Sequence, residues 1–217
     1  MKIDRAAIPF VLIAALPAVG LWWSWGPVAG VPALLLPLAV AAFFRDPERT
    51  ASQDPALVLS PADGTVMYAG AAHPGDAPDD RAWLQVTIFL SVLDVHINRT
   101  PVSGRVTRVL YQPGTFLPAY KHEAVRNERS EIWFDHGGIA IVARQVVGIL
   151  ARRVVCRLKP GQDVEAGARL GLMKFGSRMD VFIPPSATLL VASTQKVRGA
   201  YTVLARLAAD GRVASTL

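Results

Sequence analysis

The chain has one cysteine, Cys156, which excludes an internal disulfide framework and a cysteine-based zinc cluster. A lone thiol is compatible with a reducing, cytosol-facing location. Charge is also scarce: 18% of the 217 residues are charged and 52% are hydrophobic. That balance is too apolar for a disordered chain and high for a purely soluble one. No internal repeat and no low-complexity segment is present, so nothing points to a repeat array. The net charge of +6 is not accompanied by a helix-turn-helix pattern, an RNA-binding signature or a zinc knuckle, and nucleic acid is set aside as a partner.

Most of the apolar excess lies in one place. Ala6 to Phe44 is 39 residues without a charge, long enough for nearly two crossings of a hydrocarbon core that needs ~20 helical residues each. Trp22-Trp23-Ser24-Trp25 and Gly26-Pro27 interrupt it midway, where tryptophans favour the headgroup level and Gly-Pro a turn. Lys2 and Arg5 precede the run, and Arg45 and Arg49 follow it. Positive charge outside both ends predicts a hydrophobic helical hairpin over residues 1–44 with both termini cytoplasmic. Its arms are short, and Pro9, Pro17, Pro32 and Pro37 weaken them, so spanning and re-entrant hairpins both remain open. The expected location is the cell membrane, with the rest of the chain on the cytoplasmic side. Residues 45–217 carry +5 of the net charge, which suits an anionic membrane surface.

After Arg45-Asp46-Pro47-Glu48-Arg49 the pattern changes to short β-rich pieces separated by Gly, Pro and Asp. Strands are predicted at 57–59, 65–69, 84–90, 105–111, 139–143, 154–158 and 179–183. The predicted class is mainly β, an antiparallel sandwich or barrel-like domain with a short helix, the helix or a loop falling within 118–129. Residues 73–80, rich in Pro, Gly and Asp, read as an exposed loop.

Three segments could carry chemistry. In Lys174-Phe175-Gly176-Ser177-Arg178-Met179-Asp180, a Gly-Ser pair after an apolar strand can be a plain turn. It also places a hydroxyl beside a carbonyl that glycine leaves open to attack, with Lys174 and Arg178 near enough in sequence to steady negative charge. In Asp94-Val95-His96-Ile97-Asn98-Arg99-Thr100-Pro101, His96 reads as a structural histidine or as a general base near neutral pH. In Ser60-Pro61-Ala62-Asp63-Gly64, Asp63 reads as a turn residue or as the acid that orients an imidazole. His73, His122 and His136 have less distinctive surroundings and read as loop or surface residues.

Together these segments, with Asn127-Glu128-Arg129, resemble the short, membrane-associated (archaeal-type), pyruvoyl-dependent phosphatidylserine decarboxylase proenzymes, over most of residues 45–190. The resemblance implies a lyase of phospholipid biosynthesis that makes its own cofactor. Ser177 would attack the Gly176 carbonyl, and elimination and hydrolysis would leave a β chain of residues 1–176 and an α chain of 177–217 capped by a pyruvoyl group. That ketone would form a Schiff base with phosphatidylserine and release CO2 and phosphatidylethanolamine, without pyridoxal phosphate or metal. It makes His96 the acid/base and Asp63 the orienting acid, with Asn127, Arg129 and Arg99 as substrate-binding residues. Many longer relatives carry two histidines three apart where this chain has His96 and Arg99, so one histidine would serve both steps or another group would assist the cleavage. The two chains would stay associated, and assembly into a homo-oligomer is open.

Two other readings compete. Gly171-Leu172-Met173-Lys174-Phe175 is similar to the Met-Lys hairpin of biotinyl and lipoyl carriers, which would make Lys174 a modified residue on a membrane-anchored adaptor. A serine hydrolase keeping Ser177 as its nucleophile is the third, though no Gly-x-Ser-x-Gly elbow is present.

Overall fold

The structure, a computed structural model, describes residues 2–149, 154–174 and 176–208. The chain divides into two compact units, Met1–Glu48 and Arg49–Leu217.

The first unit is helical. Asp4 begins it by accepting the Ala6 N–H at 2.9 Å. Helix α1 (Ile8–Trp25) runs to Gly26, whose φ of +69° turns the chain into α2 (Pro27–Ala33) and α3 (Leu35–Phe43). The return arm is two helices, not one. Pro37 has no N–H to donate to Ala33 and its ring crowds that carbonyl, so the helix breaks at Leu34. The arms pack as a hairpin, with Phe10 and Phe44 rings stacked at 5.4 Å and Gly30 set against Trp22 where a Cβ would clash. Trp22, Trp23 and Trp25 are exposed at its tip. The stretch Arg5–Trp25 is long and apolar enough to cross a membrane, and Pro27–Phe43 is apolar but shorter.

The second unit is built on an eight-stranded antiparallel sheet. In chain order its strands are β1 (Gly64–Ala71), β2 (Leu84–Leu90), β3 (Gly104–Gln112), β4 (Arg129–His136), β5 (Ile139–Val146), β6 (Asp163–Val164), β7 (Ser177–Ile183) and β8 (Lys196–Val197). Their order across the sheet is β6-β3-β4-β5-β7-β2-β1-β8, which makes β7 central. Two three-stranded sheets accompany it. One orders Val155–Cys156, Arg169–Leu172 and Ile97–Arg99; the other orders Thr188–Leu189, Val203–Arg206 and Leu57–Leu59. The architecture is therefore the mainly β, antiparallel sandwich expected from the turn spacing. Residues 118–129 contain one short 3-10 helix, His122–Arg126.

Period-two alternation decides which side chains enter the core. Val86, Ile88 and Leu90 of β2 and Met179, Val181 and Ile183 of β7 point the same way, into a cluster completed by residues of the small sheets such as Val58, Leu170 and Leu204. The opposite face is buried as well. There Trp83, Trp133, Val142 and Phe182 pack together beside a chain of buried charges. Arg178 Nε donates to Asp180 Oδ1 at 2.8 Å and its Nη2 reaches Asp76 Oδ2 at 3.4 Å. Arg144 donates to Glu131 at 2.9 Å and to the Asp76 carbonyl at 2.7 Å. Thr87 Oγ1 donates to Asp180 at 2.8 Å. Burial works against the Arg178 charge, but Asp180 and Asp76 overcome it and hold its pKa above the ordinary arginine value.

The 73–80 segment differs from the open loop expected. It is exposed in part, yet Asp76 turns inward and is 3% exposed, because Arg178 and Arg144 need a carboxylate and a carbonyl on this face. Strand β4 has no counterpart among the expected strands. Its ion-bearing face replaces apolar residues with Glu131 and Asp135 and hides the alternation.

Breaking a buried pair strands a charge, so Arg144→Met, which leaves Glu131 short of a partner, should cost about 3–5 kcal/mol of stability. Lys2→Ala, in the exposed pair with Glu48, should cost no more than about 1 kcal/mol. Thermal or denaturant unfolding followed by tryptophan fluorescence distinguishes the two; equal, small losses would contradict the assignment.

Candidate active site

Two segments of chain lie side by side twice, and the site sits where they cross. In the large sheet β2 pairs with β7, with Leu90 opposite Ser177. In a small sheet Ile97–Arg99 pairs with Arg169–Leu172, with Ile97 opposite Leu172. Residues 91–96 and 173–176 therefore pass from sheet to sheet as neighbours, and the Met173 N–H donates to the His96 carbonyl at 3.2 Å along the way. This double pairing brings His96 to Gly176.

The imidazole is fully buried and its orientation is fixed locally. Asp94 Oδ2 accepts from the Ser91 N–H at 2.8 Å and from its hydroxyl at 2.7 Å, closing a turn. That turn sets the Asp94 carbonyl 2.9 Å from His96 Nδ1. A carbonyl can only accept, so Nδ1 carries the proton, and the Nε2 lone pair faces the Gly176 N–H at 3.4 Å. A base thus points at the peptide unit immediately before the Gly176–Ser177 bond.

Gly176 has φ of +70°, a region that favours glycine. Its carbonyl oxygen lies over Gly148, where an added Cβ would come 1.9 Å from it. Ser177 is fully buried, and its hydroxyl donates to the Lys174 carbonyl at 3.2 Å within the same turn. A seryl hydroxyl, an unhindered preceding carbonyl and a histidine lone pair are thus gathered in one water-poor place, and residue 177 can be converted there without leaving its strand. These groups fit the formation of a pyruvoyl group at position 177. Phe175 lies outside the described residues, as do residues 209–217 at the end of the expected α chain.

The other expected site residues are placed differently. The Asp63 carboxylate is taken up by Arg49, in a two-point pair, and by the Gly199 N–H at 2.7 Å. The group orienting His96 at Nδ1 is the Asp94 carbonyl. Asp63 instead secures the turn whose Pro61 carbonyl accepts the Arg99 N–H at 2.8 Å, one side of the strand that carries on from His96. Arg99 alternates with Asn98 along that strand, and its guanidinium donates to the Gly167 carbonyl at 3.1 Å. Asn127, expected to bind substrate, has no capacity left for it. Its oxygen accepts from Thr115 Oγ1 and Leu117 N–H, and its amide donates to the Leu117 and Val147 carbonyls. Arg129 lies on the charged face of the sheet, opposite the face that bears Met179, and donates to Gln112 Oε1 and the Val125 carbonyl. Burial first, then the charge of Arg144, lower its pKa. Arg178 is likewise committed to the ion cluster on that face. Lys174 is half-buried in the turn before Gly176.

The sequence reading missed Asp94, Gly148 and a polar pair one step along the strand from His96. Asn98 Oδ1 accepts from Gln145 Nε2 at 2.8 Å, both side chains fully buried. Asp94 had a signal, the Ser-x-x-Asp spacing of 91–94 just before the histidine. Gly148 and Gln145 had none, because their roles depend on contacts across the sheet.

A β-sandwich carrying an apolar helical hairpin, with a buried histidine facing the N–H of the glycine in a Gly-Ser pair, is the class these features define. The chain belongs to the phosphatidylserine decarboxylase family: residues 36–205 match the model of that family. It is similar to the phosphatidylserine decarboxylase proenzyme of Pelodictyon phaeoclathratiforme, with 42% identity over 201 residues covering 91% of this chain and 93% of that protein. It is equally similar, at 42% identity over 213 residues, to the proenzyme of the same description from Paramagnetospirillum magneticum, covering 94% and 87%. Both relatives are bacterial, so the match supports the family and not the archaeal-type subdivision.

Because a Cβ at position 148 would collide with the Gly176 carbonyl oxygen, Gly148→Ala must push the 176–177 peptide aside. The expected outcome is a folded chain with circular dichroism like the parent's, destabilised by about 1–3 kcal/mol, in which reaction at the Gly176–Ser177 bond is lost. Gel analysis showing normal reaction at that bond would contradict the placement.

Proposed function

We propose that this chain is a phosphatidylserine decarboxylase that cuts itself between Gly176 and Ser177. The observation that carries the proposal is the His96 Nε2 lone pair directed at the Gly176 peptide, in a chain that belongs to this family.

In maturation, His96 accepts the Ser177 hydroxyl proton as Oγ attacks the Gly176 carbonyl carbon. The oxygen–carbon bond forms, the peptide C–N bond breaks as His96 passes the proton to the departing nitrogen, and the amide becomes an ester with a free amine on residue 177. Loss of the Cα proton and cleavage of the Cβ–Oγ bond then release residues 1–176 with a terminal carboxylate and leave dehydroalanine at 177. Water hydrolyses this enamine, after its tautomerisation to an imine, to ammonia and a ketone. Glycine at 148 leaves the attacked carbonyl room to rehybridise, and the Asp94 carbonyl holds His96 in the tautomer that can take a proton.

Once formed, the pyruvoyl ketone supplies the electron sink for loss of CO2 from the serine headgroup, giving phosphatidylethanolamine. His96 would return a proton to the headgroup carbon after CO2 departs. The new α chain keeps its place because β7 is hydrogen-bonded on both sides, to β2 and β5, and because Arg178 pairs with Asp76 of the β chain. Asp63 acts as a positioning residue, holding the Pro61 turn against the strand that follows His96. The apolar hairpin would hold this unit at the cytoplasmic face of the cell membrane as a short-form member of the family.

Ser177→Ala is expected to give one uncut polypeptide without decarboxylase activity. His96→Gln should slow self-cleavage by roughly 10²–10⁴-fold, the range for loss of a general base. Denaturing gels over a time course of synthesis read both. Normal cleavage of the Ser177→Ala chain would refute the proposed chemistry, and normal cleavage of His96→Gln would remove histidine from it.

A further inference from the structure

At the end of the large sheet that carries Ser177, several large apolar side chains are exposed among the described residues. Val92 and Leu93 follow directly from β2, whose Leu90 lies opposite Ser177, and Leu93 is 80% exposed. Ile149 follows β5, whose Val146 lies opposite Arg178, and is exposed. Tyr120 is exposed and stands edge-on to Phe89, the neighbour of Leu90, at 6.1 Å. Phe116 and Leu117 are exposed too, and Leu117 is tied to this end through Asn127, which bridges it to the Val147 carbonyl. The other described exposed large apolar side chains of this unit are Met67, Leu110, Tyr111, Leu190 and Tyr201, none of them in the loops that follow β2 and β5. Scattered apolar residues need no explanation, but a group gathered at one end of a sheet does.

From this we infer that the catalytic unit itself docks on the lipid bilayer through the loops at 91–93, 116–120 and 149, placing the Gly176–Ser177 site at the headgroup level. The inference deepens the decarboxylase reading and rests on it. Residue 177 is buried at this end of the sheet, and a lipid headgroup that approaches it from there brings its glycerol and acyl chains among these side chains. Those acyl chains remain in an apolar surrounding throughout if these loops enter the interface, where apolar side chains bury into the headgroup/acyl boundary. The described exposed charges beside these loops include Lys121, Arg126, Glu123 and Lys196, which lies 3.9 Å from Asp94, a net positive set suited to an anionic leaflet. The same chain also carries an apolar hairpin, so a bilayer is the surface already at hand.

The test uses the full chain with Cys156→Ser and single cysteines introduced by Leu93→Cys, Leu117→Cys and, on a small sheet, Leu190→Cys. Each is labelled with a bimane fluorophore and reconstituted into vesicles of phosphatidylglycerol and phosphatidylcholine. Quenching by nitroxide-bearing lipids is compared with quenching by aqueous iodide. Strong lipid quenching with loss of iodide quenching at 93 and 117, and the reverse at 190, is the expected result. Iodide reaching 93 and 117 as freely as 190 would overturn the inference. Shielding of 93 and 117 from both quenchers would overturn it too, by showing protein there, such as a second copy of the chain. The readout needs no turnover, so the two readings fail separately. Free iodide access in an active preparation sinks the docking surface alone, whereas lipid contact in a preparation that never decarboxylates sinks the decarboxylase reading.

Discussion

The rest of the structure depends on two segments of chain being neighbours in two different sheets. Pairing of β2 with β7 and of 97–99 with 169–172 leaves the connecting residues no choice but to cross together, and His96 meets Gly176 at that crossing. A histidine on a loop would need its own supports to hold an angle to a peptide bond. Here each partner is one residue from a strand end, and the hydrogen bond from Met173 N–H to the His96 carbonyl ties the crossings together. The geometry of the candidate site is thereby made a consequence of strand register, which the buried faces specify strongly.

The sheet's second face explains how a central strand could tolerate a break at its first residue. Arg178 and Asp180 are the second and fourth residues of β7, and both are anchored in a cluster that includes Asp76, far away in sequence. Such pairs offer weak net stabilisation because desolvation offsets attraction. Their geometry is nevertheless directional, and it binds the start of β7 to the part of the chain that precedes Gly176. Seven backbone pairs to β2 and five to β5 add to that hold.

Much of this was legible in the sequence, for definite reasons. Leu84-Gln-Val-Thr-Ile-Phe-Leu90 is rich in strand-forming residues, and its expected limits are those of β2. The 39-residue uncharged run announced a helical hairpin, and Gly26-Pro27 its turn. Arg129–His136 escaped because its non-core face is charged yet buried; the signal that could have found it is Gly137-Gly138, both at positive φ, the two-residue turn that joins it to β5. In the site, the Gly-Ser pair and His96 could be singled out from chemistry and resemblance. The partners of Asn127 and Arg129 could not be read from sequence, because they lie far apart in the chain, here Thr115, Val147 and Gln112. Asp63 was obscured in the same way by Arg49 and Gly199.

The central claim, that this chain makes its ketone from Ser177, is most directly tested by the intact mass of the natively produced protein under denaturing conditions, before and after borohydride. The account predicts two chains, of 176 and 41 residues, with the shorter lacking a free amino terminus and gaining two hydrogens on reduction of its ketone. A single chain of 217 residues, unchanged by borohydride, would contradict it.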